Sequence, residues 1–160
     1  MTSFRSFQEA FSTEQITPQK CRLGENLYML QDDANGAFRI TYAEIIDKEV
    51  IAAVSFILVE PLKGSPCFAV GYSVDPSHRR KGIGTSLLKE AIEEMAQGLA
   101  KHVDGRFYIE AVVGVVNIAS NKISQNVLKV KGKRVVDQVS GEDAFQYIKL
   151  IDLKKEPGAS

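Results

Sequence analysis

The chain is poor in the residues that build metal, disulfide and hydrolase chemistry. It holds two cysteines and two histidines in 160 residues. Cys21 and Cys67 have no metal-type spacing and two histidines cannot complete a ligand cluster, so no metal is expected. No Gly-x-Ser-x-Gly elbow occurs, which removes the support for a serine hydrolase. Twenty basic and twenty acidic residues cancel, which argues against a general nucleic-acid or membrane-surface binder. The longest apolar run, Val50–Val59, is too short to span a bilayer. The N-terminus, with Phe4, Arg5, Phe7 and Glu9, lacks the apolar block and small-residue cleavage site of a signal peptide. A cytoplasmic, reduced, metal-free protein with no membrane partner is the expectation.

What is present is the composition of a soluble globular domain, 44% hydrophobic and 25% charged, in a chain long enough to bury a core. No internal repeat or interdomain linker interrupts it, so residues 1–160 are expected to form one domain. Phe4, Phe7, Ala10 and Phe11 at helical spacing predict a short helix ending before Pro18, and residues 19–26 look irregular. Leu27–Leu30 is the first expected strand, with a turn over Asp32–Gly36. Alternating Phe38, Ile40 and Tyr42 predict a half-buried strand, and Asp47-Lys48-Glu49 a hairpin tip. Val50–Val59 reads as a buried central strand, Glu60–Pro66 as a loop rich in breakers, and Phe68–Val74 as the next strand. A helix follows from Ile83, whose stripe of Leu87, Ala91, Met95 and Leu99 is core. Phe107–Val116 is β-prone, residues 117–130 helix-like, and two closing strands fall near 134–139 and 144–151. Residues 152–160 form a polar tail, expected to be disordered from Lys154 to Ser160.

The stretch with chemistry in it is Val70–Leu88. Asp75-Pro76 ends a strand, because proline has no ladder donor and restricts the residue before it. Arg79-Arg80-Lys81 then leads into Gly82-Ile83-Gly84-Thr85 and the helix. The first amides of a helix lack intrahelical partners, and the helix dipole puts partial positive charge there. Glycines admit a ligand close to the backbone, and the adjacent cations add to the field. A phosphate-bearing ligand suits such a turn. The Gly-x-x-x-x-Gly-Lys-Ser/Thr loop of nucleotide triphosphatases is absent. A Gly-x-Gly-x-x-Gly dinucleotide fingerprint fails at Leu87.

Arg79-x-x-Gly82-x-Gly84 after Val74-Asp75-Pro76 closely resembles the acetyl-CoA pyrophosphate loop of the GNAT acyltransferase superfamily, Gln/Arg-x-x-Gly-x-Gly/Ala. The order of strands, helix, strand, helix and a closing strand pair agrees over roughly residues 27–151. The resemblance implies an α/β (α+β) fold, with a mixed central sheet flanked by helices, and acetyl-CoA as cosubstrate. It places the pantetheine arm along Tyr72, Ser73 and Val74. It places the pyrophosphate on Arg79, Arg80, Lys81, Gly82, Ile83, Gly84 and Thr85. The family commonly has Asn-x-x-Ala/Ser after its fifth strand, with a tyrosine acid seven residues beyond the asparagine. Asn117-Ile118-Ala119-Ser120 matches the first half, and Asn117 serves equally as a helix N-cap. Seven residues on stands Ser124, so the usual proton donor is missing. A register shifted to Asn121 and Ser124 also fits, and it too lacks the tyrosine.

The resemblance implies direct attack of a primary amine, on a small molecule or a peptide, at the thioester. Glu110 on the presumed fifth strand is the candidate base and Ser124 a candidate acid, against plain readings as an outward strand carboxylate and a solvated helix serine. A backbone amide near Val74 is the expected oxyanion donor. Two other classes stay open. One is a CoA-binding module without catalysis; the other is a phosphate- or nucleic-acid-binding domain using the basic turn alone, which zero net charge disfavours. A homodimer through a strand edge is compatible with such a fold.

Overall fold

Amphipathic spacing and tight two-residue turns account for most of the architecture. The computed structural model describes residues 3–79, 81–100 and 105–153. Helix α1 spans Ser3–Ser12, followed by strands β1 (Gln19–Lys20), β2 (Leu27–Ala34), β3 (Ala37–Ile46), β4 (Glu49–Leu62) and β5 (Ser65–Val74). After a 3₁₀ turn at Pro76–His78 come helix α2 (Ile83–Leu99), strand β6 (Arg106–Gly114), helix α3 (Ile118–Leu128) and strands β7 (Lys133–Val136) and β8 (Asp143–Asp152). The eight strands form one sheet in the order β1-β2-β3-β4-β5-β6-β8-β7. It is a mostly antiparallel sheet flanked by the three helices, and β5 and β6 are its parallel pair. The expected mixed α/β fold is present. No described helix is long and apolar enough to cross a membrane.

Three sequence expectations need correction. Residues 19–26 are not irregular throughout, because Gln19 and Lys20 pair with Met29 and Tyr28 as β1. The turn expected over Asp32–Gly36 is shorter, because Asn35 (φ 53°) and Gly36 (φ 88°) reverse the chain by themselves and β2 runs on to Ala34. Such two-residue reversals need positive φ at both positions, which Asn-Gly supplies. Likewise Glu60–Pro66 is not a loop. Lys63 (φ 49°) and Gly64 (φ 79°) make the turn, so β4 continues to Leu62 and β5 begins at Ser65. Pro61 and Pro66 sit close to that hairpin end, where a missing ladder donor is best tolerated. The hairpin tip at Asp47 (φ 50°) and Lys48 (φ 65°) stands where the sequence placed it. The 152–160 tail lies outside the described residues from Lys154 onward.

By contacts the chain divides into two compact units, one of Met1–Phe56 with Gly71–Glu94, the other of Ile57–Val70 with Met95–Ser160. In the first, α1 lays Phe4, Phe7 and Phe11 against Ala43, Ile45, Val50 and Ala53. The helix spacing read from the sequence is thus a packing face. Tyr42 and Phe56 meet edge to face at 5.9 Å between ring centroids. Glu94 on α2 accepts from the backbone N–H groups of Arg22 (3.4 Å) and Leu23 (3.3 Å), tying the helix to the segment before β2.

In the second unit Phe68 and Phe107 stack edge to face at 5.8 Å. Helix α3 buries Asn121, Ser124 and Leu128, one stripe at i, i+3 and i+7. Asn121 is a buried polar residue with its needs met. Its Nδ2 donates to Gly114 O (3.0 Å) and Asn117 O (2.9 Å), and its Oδ1 accepts from the Tyr147 hydroxyl at 2.7 Å. Such a network stabilises only when every member is satisfied. The Tyr147 ring is fully buried, and a Cβ built on Gly132 would lie 2.8 Å from its Cε1. Gly132→Ala is therefore expected to displace the ring and cost about 1–3 kcal/mol, measured as a lower denaturation midpoint at unchanged slope. An unaltered midpoint would show that the ring can move freely.

Candidate active site

The turn between β5 and α2 is built by backbone geometry. Gly82 adopts φ +73°, and its carbonyl accepts the Ser86 N–H at 3.1 Å. That bond opens the helix, so the amides of Ile83, Gly84 and Thr85 precede the first intrahelical donor and point out of its end. A Cβ on Gly82 would meet nothing within 4 Å. No side chain or backbone atom crowds that position, so the left-handed φ alone selects glycine there. Gly84 is buried, Thr85 half-buried, and Lys81 exposed. The Arg79 guanidinium folds back, its Nε donating to the Val74 carbonyl at 3.3 Å. Arg80 lies outside the described residues. In this unit the expected cofactor residues Tyr72–Val74, Arg79 and Lys81–Thr85 thus follow one another through a single strand, turn and helix start.

Just before the turn, Asp75 fastens the end of β5. Its N–H donates to Ile51 O at 2.8 Å, and its Oδ1 accepts from Ser77 N (3.0 Å) and Ser77 Oγ (2.6 Å). The Gln8 side chain of α1 donates from Nε2 both to Asp75 Oδ2 (3.1 Å) and to Val50 O (2.9 Å). Bonds from the Ser77 hydroxyl, the Gln8 amide and the Ser77 backbone hold the Asp75 carboxyl down at about 2. Arg5, Gln8, Glu9, Val50, Asp75 and His78 are among the residues lining a cavity of about 760 Å³ beside α1. His78 is half-buried with Nδ1 3.1 Å from Ser77 Oγ. Burial and Glu94 together push the Cys21 thiol up to about 11, leaving it protonated and unreactive near neutrality.

The second unit holds Glu110, Asn117 and Ser124. Strand β6 pairs with β5 only over Cys67–Ala69 against Tyr108–Glu110, while its pairing with β8 runs the whole way to Gly114. The last β5–β6 pair is Ala69 with Glu110. Glu110 Oε2 accepts from Gln146 Nε2 at 2.7 Å. The Cys67 thiol is raised, first by burial and then by the Glu110 charge. Asn117 caps α3, its Oδ1 accepting from Ser120 N at 3.1 Å. The capping reading is thus shown, and the side chain is exposed. Ser124 is not a solvated helix serine: it is 0% exposed. Sequence reasoning missed Gln146 and Gln8. The only signal for Gln146 was a polar residue in the otherwise apolar stretch Ala144–Ile148; for Gln8 there was none. Among the described residues no group of three or more His, Cys, Asp or Glu could hold a metal ion.

A glycine turn that opens a helix with its first amides outside the helical hydrogen bonds is an arrangement that suits an anion. The model of the Acetyltransferase (GNAT) family matches residues 4–121. The chain belongs to that family. Comparison with curated protein sequences finds no match. Among solved structures it is similar to the ribosomal-protein-S5-alanine acetyltransferase of Vibrio fischeri (20% identity, 76% of this chain and 64% of that one, TM-score 0.54). It is also similar to the ribosomal-protein-alanine N-acetyltransferase of Brucella melitensis (21%, 71% and 69%, 0.54). A third is a ribosomal L7/L12 α-N-protein acetyltransferase solved with coenzyme A (22%, 72% and 64%, 0.53). The chain spans about two thirds of the length of these proteins, and at such identities the likeness is one of fold.

The Asp75 tie gives a pH dependence of definite sign. A carboxyl depressed from its ordinary 3.8 to about 2 contributes stability that is fully present above the higher value. That stability is lost as pH falls through the lower one. Wild-type thermal stability is expected to fall more steeply between about pH 4 and pH 2 than that of Asp75→Asn. Parallel pH profiles of the two melting temperatures would show that the Gln8 and Ser77 bonds contribute nothing.

Proposed function

We propose that this protein is an N-acetyltransferase that moves the acetyl group of acetyl-CoA to a primary amine by direct attack. The observation that supports this reading is the Gly82 turn, whose left-handed φ opens α2 with the amides of Ile83, Gly84 and Thr85 outside the helical hydrogen bonds, an arrangement suited to a diphosphate. Arg79, Arg80 and Lys81 supply the neutralising charge, and Thr85 a hydroxyl. The strand end Tyr72–Val74 takes the pantetheine arm backbone to backbone, as an added strand would be taken. Asn117 adds a side-chain contact while keeping its cap.

The cosubstrate supplies a thioester, an acyl group already activated toward amines. The chain's own residues do the rest. An ammonium must lose a proton before its lone pair can attack, and Glu110, oriented by Gln146, takes it directly or through one water. The backbone amide at Val74 stabilises the negative charge that develops on the acetyl oxygen. Ser124, fully buried, is better suited to packing α3 than to protonating a leaving thiolate, which takes its proton from water. Positioning both reactants supplies much of the acceleration, so a missing tyrosine acid is tolerable.

The same absence favours a second reading, a GNAT-fold module that binds CoA without turnover. Calorimetry with acetyl-CoA, followed by acetylation assays on a panel of primary amines and peptides, separates the two. Wild type is expected to bind, and Gly82→Glu, which puts a carboxylate in the phosphate site, to lose at least about a hundredfold in affinity. Glu110→Gln is expected to bind normally and to lose about a hundredfold in kcat. Binding with no turnover on any amine would favour the non-catalytic module; no binding by wild type would overturn both.

A further inference from the structure

The pairing of β6 with β8 sorts the second unit's strands into two faces. Phe107, Ile109, Ala111 and Tyr147 are buried on one, and Tyr147 reaches α3 from it. The other face carries Glu110 directly opposite Ile148, Val112 opposite Gln146, and Tyr108 opposite Leu150. On this second face Tyr108 is buried, but the aliphatic residues are not: Val112 is 40% exposed, Ile148 36% and Leu150 39%. A half-buried carboxylate thus sits amid a shelf of accessible aliphatic side chains. Gln146 takes up one of its oxygens, Oε2.

Covering such a face is favourable for one kind of occupant. Apolar surface gains free energy when removed from water. A carboxylate covered along with it loses far more unless a cation comes too. The complementary molecule carries a positive charge directly attached to an apolar group. We infer that the Val112, Ile148 and Leu150 shelf around Glu110 is the acceptor's apolar subsite, selecting primary amines whose neighbouring group is hydrophobic. This deepens the acetyltransferase reading and rests on Glu110 facing the acceptor. The amine then meets the free side of the carboxylate, while the apolar group lies across Ile148 and Leu150.

The test is a methyl NMR titration of the full chain with coenzyme A bound, using hexylamine and 6-amino-1-hexanol as probes of equal charge and nearly equal length. The methyls of Val112, Ile148 and Leu150 are expected to shift with hexylamine, at an affinity at least about fivefold above that for the amino alcohol. Ile148→Asn combined with Leu150→Asn should weaken hexylamine about tenfold with acetyl-CoA affinity unchanged. Glu110→Gln, a nearly isosteric change, should also weaken it, which keeps the test decisive if the double variant folds poorly. Silent methyls, equal affinity for the two probes, or methyl shifts that follow protein concentration in place of amine would each overturn the subsite. The two readings fail separately. Shifting methyls without acetylation would sink catalysis and leave the subsite standing. Acetylation with silent methyls would do the reverse.

Discussion

The candidate site depends on one backbone event, the left-handed turn at Gly82 that starts α2. With φ at +73°, the carbonyl of Gly82 faces along the helix and takes the Ser86 amide, so the three amides between them are turned outward together. Their partial positive charge is fixed in direction and needs no reorganisation when an anion arrives. A side chain at position 82 would strain the backbone, even though nothing crowds it. The glycine is required by the path of the chain.

Around this turn the anchoring is polar and local. Asp75 caps the 3₁₀ turn and bonds β4 through Ile51 O, while Gln8 links α1 to both Val50 and Asp75. The first helix is therefore fixed by an apolar face of three phenylalanines and by one amide at the strand end. In the other unit the same economy holds. Tyr147, Asn121 and the α3 cap satisfy one another's hydrogen bonds, and Glu110 is held by a single amide from Gln146. These side-chain amides work as spacers between elements that share no sequence proximity.

Much of this was legible in the sequence. The strand, break, basic triplet and Gly-x-Gly order is a short-range pattern, and short-range patterns survive folding because the backbone enforces them. The same is true of α2, whose stripe of Leu87, Leu88, Ala91 and Met95 is buried as the spacing required. What failed was turn chemistry and long-range pairing. Prolines 61 and 66 suggested a loop, yet Lys63-Gly64 needed only two residues to reverse the chain. Ser124 looked like a surface serine because α3 is polar on most sides, yet it lies on the buried stripe with Asn121 and Leu128. Gln8–Asp75 and Gln146–Glu110 join residues far apart in sequence, and no local signal marks such pairs.

The central claim is that the amides following Gly82 bind the diphosphate of coenzyme A. Backbone amide NMR on titration with coenzyme A, with ADP and with pantetheine tests it most directly. The resonances of Gly82, Ile83, Gly84 and Thr85 should move with coenzyme A and with ADP, both of which carry a diphosphate, and stay in place with pantetheine, which has none. If those four amides ignore coenzyme A, or move equally with pantetheine, the turn is not the phosphate site.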